Sequence, residues 1–80
     1  MRGKEYILQL ATMDHLLRKA GAYRVSSTAK EALRKVLEEF ALELSENAIK
    51  FANHAGRTTI KGEDVLLASM FRGEVRSKTQ

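Results

Sequence analysis

An all-α chain of three helices, short, long and short (residues 4–20, 27–55 and 62–72), is what this sequence predicts. Three observations carry that expectation. There is no proline among the 80 residues, so glycine alone punctuates the chain. Apolar residues recur at three- and four-residue steps along the first two segments, as one face of a helix requires. Each break between segments holds an Ala-Gly pair, and a polar position suited to opening a new helix follows within a few residues.

In the first segment, Lys4 to Ala20, the apolar positions are Ile7, Leu10, Met13, Leu16 or Leu17, and Ala20. Arg18 and Lys19 fall in its last turn, where cations favour the helix dipole, and Gly21 follows at the expected left-handed C-cap. The second segment opens at about Ser27, where Ser26, Ser27 and Thr28 are all good N-cap types and Thr28 and Glu31 have capping-box spacing. Its stripe runs through Ala29, Leu33, Val36 or Leu37, Phe40, Leu44, Ala48, Phe51 or Ala52, and Ala55. At about 1.5 Å per residue, such a helix is roughly 42 Å long, too long for two short helices of one chain to cover. The third segment places Val65, Leu66, Ala68 and Met70 or Phe71 on its apolar side, and Gly73 opens a polar, basic tail. Residues 1–8 and 73–80 are expected to be flexible ends of a single domain spanning residues 1–80.

A domain this small buries only about 60% of the surface that its unfolded chain exposes, so a partner adds much to its stability. The long stripe supplies the surface for an isologous homodimer, and the charged residues along the same helix form its solvated face. The net charge of +4 draws in polyanions such as nucleic acid or anionic lipid. The absence of cysteine excludes a disulfide framework and a thiolate metal site. The first residues lack a secretory signal pattern, and no run approaches the roughly 18 apolar residues of a membrane span, which points to an intracellular protein without a membrane role.

Catalysis finds no support: the chain has only His15 and His54, no glycine-rich phosphate loop, and in Glu38 and Glu39 two adjacent carboxylates that face different ways on a helix. No enzyme, cofactor or metal is expected. His54 and Asp64 together are an ion pair far more readily than a ligand set.

The two breaks share one plan. "AGAYRVSSTAKEAL" from Ala20 and "AGRTTIKGEDVLLA" from Ala55 each run from helix end through Ala-Gly and three residues to a β-branched aliphatic, a cap position and a new helix. Val25 then pairs with Ile60, and Arg24 with Thr59. Each link is too short to form a stable strand pair alone, so the first link of one chain is expected beside the second link of its partner. That pairing would gather Arg24, Thr58, Thr59, backbone N–H groups and helix N-termini into an anion site. A dimer would repeat the site about 40 Å away, a spacing that suits double-stranded DNA.

From Met13 to Ser69, with "AGAYRVS" and "LEEFALELSENAIKFANHAGRTTIKGEDVLLA" as its strongest stretches, the sequence resembles the histone fold and, more narrowly, archaeal histones. The resemblance implies a handshake dimer that assembles further, to a tetramer or longer, and wraps and compacts double-stranded DNA on the chromosome (nucleoid). It implies that Arg24 enters the minor groove with the partner's Thr59 beside it, and that Arg57 and Asp64 form an internal salt bridge. Phe51, His54, Asp64 and Leu67 match the patch through which dimers join by a four-helix bundle. Ser26, Thr58, Arg18, Lys19 and Lys61 lie where phosphate contacts are expected. Departures are Thr58 and His15, which replace basic residues, an N-terminal segment without the family's prolines, and the apolar Leu66. A histone-fold subunit that heterodimerises with another protein, such as another histone, and does not wrap DNA is the rival reading.

Overall fold

The computed structural model describes the backbone of residues 6–79 and the side chains of residues 6–71. It holds three helices, α1 (Leu10–Lys19), α2 (Ser27–His54) and α3 (Gly62–Thr79), and no strand among the described residues. This is the short, long, short order expected, with four boundaries that differ, one of them the end of α1 at Lys19, a residue before the expected Ala20.

α1 starts at Leu10, six residues after the expected Lys4. The glutamate Glu38 on α2 explains part of the difference, because its Oε2 accepts the backbone N–H groups of both Ile7 and Leu8. The Arg34 guanidinium lies 4.2 Å from the centre of the Tyr6 ring, a cation–π contact one turn before Glu38. Residues 6–9 are thus tied to α2 in a non-helical path, and Ile7, expected on the apolar face, is exposed. The expected flexibility of residues 1–5 falls outside the described residues. α2 stops at His54, one residue short of expectation. α3 passes through Gly73 to Thr79 instead of ending near residue 72. An isolated glycine weakens a helix by about 1 kcal/mol relative to alanine, which is not enough to stop it without a capping arrangement. The side chains of the tail lie outside the described residues.

Both Ala-Gly pairs do end helices, and by the same bonds. Gly21 N–H donates to Arg18 O and Ala22 N–H to Leu17 O, each at 3.0 Å. Gly56 N–H donates to Asn53 O and Arg57 N–H to Ala52 O, each at 2.9 Å. These paired bonds define a Schellman cap, which requires a positive φ at the glycine; Gly21 has φ 119° and Gly56 φ 76°.

The chain divides into two units, residues 1–40 and 41–80. In the first, Met13 of α1 is the large side chain fully buried. In the second, Ala48 and Ala52 of α2, four residues apart on one face, and Ala68 of α3 are buried, and the rings of Phe51 and Phe71 meet at 5.6 Å. Apart from Phe51, the large residues of the stripe stay outside this core. Val36, Phe40, Leu42 and Ile49 are exposed, and Leu33, Leu37 and Leu44 are half-buried.

Candidate nucleic-acid interface

The first link, residues 20–26, is held from both sides. Arg18 Nε donates to both carboxylate oxygens of Asp14 at 3.1 Å, one helical turn back, and its Nη1 reaches forward to the Tyr23 carbonyl at 3.1 Å. Ser26 then caps α2: its Oγ accepts the Ala29 N–H at 3.1 Å and also meets Thr28 Oγ1 at 3.1 Å. Ser26 is therefore the N-cap among the three candidates. Thr28 lies inside the first turn, so the anticipated pairing with Glu31 at capping-box spacing does not define the helix start. Between these two anchors Tyr23 and Arg24 are exposed, and Ala22 and Val25 are half-buried.

The second link, residues 55–61, uses a related device. Arg57 Nη1 donates to the Thr59 carbonyl at 3.1 Å and to Asp64 Oδ2 at 2.9 Å, and Nη2 donates to Asp64 Oδ1 at 3.1 Å. Glu63 adds a longer contact to the same guanidinium at 3.7 Å. Asp64 also accepts the Lys61 backbone N–H at 2.8 Å, the half of a capping box in which the third residue of a helix reaches back to the N-cap. The first link carries the other half, a cap side chain reaching forward. In each link an arginine paired with an aspartate also grips a link carbonyl.

Asp64 is buried at 3% exposure. The Arg57 hydrogen bond first, and the Lys61 N–H second, hold its carboxyl at about 2, well below the ordinary 3.8. The same hydrogen bond to Asp64 raises the Arg57 guanidinium.

The structure sorts the sequence-derived site residues by environment. Arg18 and Arg57 are engaged within the chain, whereas Arg24 is exposed and makes no hydrogen bond or ion pair among the described residues. Lys19, Thr58, Thr59 and Lys61 are exposed beside their links. The hydroxyl of Ser26 is occupied as a cap. Phe51 is half-buried, His54 and Leu67 are exposed, and Asp64 is buried. Phe51, Ala55, Leu66, Leu67 and Met70 line an open apolar groove with Arg57 and Asp64 at its edge. Two participants escaped the sequence reading: Asp14, whose spacing four residues before Arg18 is the usual signal for a helix ion pair, and Glu38, for which no local signal exists. Among the described residues no group of three metal-ligating side chains occurs, and no helix is long and apolar enough to cross a membrane.

Comparison with known proteins agrees with this architecture. Residues 7–68 match the family described as histone-like transcription factor (CBF/NF-Y) and archaeal histone. The chain is 56% identical over 61 residues to an archaeal histone HAN1 subunit of Thermococcus zilligii, an alignment covering 76% of this chain and 91% of that protein. It is 44% identical over 61 residues to probable archaeal histone 3 of Methanocaldococcus jannaschii, with the same coverage of 76% and 91%. Two clamped links between a short, a long and a second short helix, together with these matches, establish that the chain belongs to the histone-like transcription factor (CBF/NF-Y) and archaeal histone family.

Proposed function

We propose that this protein is an intracellular chromatin component that binds, wraps and compacts double-stranded DNA with little sequence preference, acting as a homodimer or a longer assembly. The observation that carries the reading is the state of the link arginines. Arg18 and Arg57 each fix a link, and Arg24, on the first link so fixed, is left to meet an external anion.

In this mechanism Arg24 inserts into the minor groove, where narrow, easily bent DNA favours a guanidinium. Thr58, Thr59, Lys61 and Lys19, with backbone amides at the starts of α2 and α3, hold phosphates and set register without reading bases. Arg18 acts mainly through the link it holds. Dimers form along the α2 stripe and join further through Phe51, His54, Asp64 and Leu67.

Arg24→Ala should weaken binding to mixed-sequence duplexes and flatten the dependence of log K on log salt by about 0.9 for each phosphate that is no longer neutralised. Mobility shifts across a salt series measure both. Unchanged affinity and slope would remove Arg24 from the site. Nuclease digestion of protein on long duplex DNA should leave a ladder of regular protected sizes. The wild-type chain failing to shift any duplex at low salt would instead support the reading of a histone-fold subunit that pairs with a different protein.

A further inference from the structure

The first link carries a residue to which the mechanism above gives no task. Tyr23 is 89% exposed, more than any other large apolar side chain described. A lone exposed ring is ordinary on a protein surface, so exposure alone carries nothing. The surroundings of this ring do.

Its backbone is fixed. The Tyr23 carbonyl accepts the Arg18 Nη1 hydrogen bond, Arg18 is itself pinned by Asp14, and the cap at Gly21 sets the path of the chain just before it. The ring therefore projects from an ordered backbone with only two side-chain torsions free, which keeps the entropic cost of ordering it on a ligand small. Tyr23 directly precedes Arg24, and the segment from Asp14 to Ser26 holds three cations, Arg18, Lys19 and Arg24, against the single carboxylate of Asp14. A second copy of the same link would bring like charges together, whereas a polyanion is attracted. In the register that aligns the two links, Tyr23 matches Thr58, so both links place a hydroxyl side chain at the same position. Thr58 has no ring, so only the first link offers an aromatic face.

We propose that Tyr23 is a DNA-contact residue, with its ring packed on the sugar–phosphate backbone at the edge of the groove entered by Arg24 and its O–H donated to a phosphate oxygen. The inference rests on the DNA-binding reading. It adds a contact of different chemistry: tyrosine is uncharged, so it contributes to affinity without releasing a counterion.

The test uses the full-length chain and a mixed-sequence DNA duplex. Tyr23→Phe removes the hydroxyl alone and should weaken binding about three- to tenfold, the range of one hydrogen bond, and Tyr23→Ala should weaken it further. Neither should change the salt slope, which separates them from Arg24→Ala. The chain has no Trp and two Tyr, so Tyr6→Phe leaves Tyr23 as the sole source of tyrosine fluorescence. Its accessibility to acrylamide should be high in the free protein and fall on saturation with duplex.

Three results would overturn the proposal. One is wild-type affinity in both Tyr23 variants with Tyr23 still accessible in the complex. Another is shielding that follows protein concentration without DNA, which would make the ring a protein contact. The third is a wild-type chain that shifts no duplex at low salt, and this result alone would also remove the DNA-binding reading.

Discussion

Asp64 shows how much one carboxylate organises. It takes two hydrogen bonds from Arg57 and one from the Lys61 backbone, joining the second link to the first turn of α3. Its carboxyl sits at about 2 in the folded chain against the ordinary 3.8. A group with a depressed folded value contributes stability fully above its unfolded value and loses it as pH falls toward the folded one. The Asp64 contribution should therefore be complete near neutral pH and fade between about pH 4 and about pH 2. Asp64→Asn should be clearly less stable than wild type near neutrality, with the gap closing through that window. Urea midpoints compared across the acid range at one protein concentration measure this. A gap independent of pH would mean that the ionised carboxylate is not what matters.

Helix ends are set by different ranges of interaction, and this decides what could be read in advance. The start of α2 is a local matter in which three cap-type residues compete. With Ser26 Oγ bonded to the Ala29 N–H and Thr28 only touching that hydroxyl, Ser26→Ala should cost about 1 kcal/mol of stability. Thr28→Ala should cost a few tenths, because its hydroxyl caps no backbone group in the structure. Thermal unfolding of both variants at matched concentration distinguishes them, and equal losses would contradict the assignment of the cap. The helix stops at Gly21 and Gly56 were legible because a Schellman cap is written within six residues. The start of α1 was not, since it depends on Glu38, about thirty positions away. Of the site, the polar exposed residues of both links were legible from the repeat. The division of labour among the arginines was not, because Arg18 and Arg24 are chemically alike and only geometry shows that one is spent on Asp14 and a carbonyl. The pairing of Arg57 with Asp64 entered through family resemblance, as a separation of seven across a turn is not itself a signal.

At the scale of the whole molecule, the apolar surface left open argues for a partner. Met13, Ala48, Ala52 and Ala68 are the buried apolar residues among those described, a small core, while Val36 on α2 is 61% exposed within the single chain. Val36→Lys separates two states of that surface. If the protein acted as a monomer, the lysine would stand in water and change stability by no more than about 0.5 kcal/mol. If a second copy covers the stripe, two-fold symmetry buries two ammonium groups without partners, a loss of several kcal/mol that the dimer cannot absorb. The substitution should therefore shift the chain to a monomer in size-exclusion chromatography and lower its melting temperature. The wild-type melting temperature should rise with protein concentration, since association stabilises the folded state by mass action, and the variant should lose that dependence. A wild-type melting temperature indifferent to concentration, together with an unaltered variant, would leave the α2 stripe as bare surface and remove the proposed dimer, and with it the proposed wrapping of DNA.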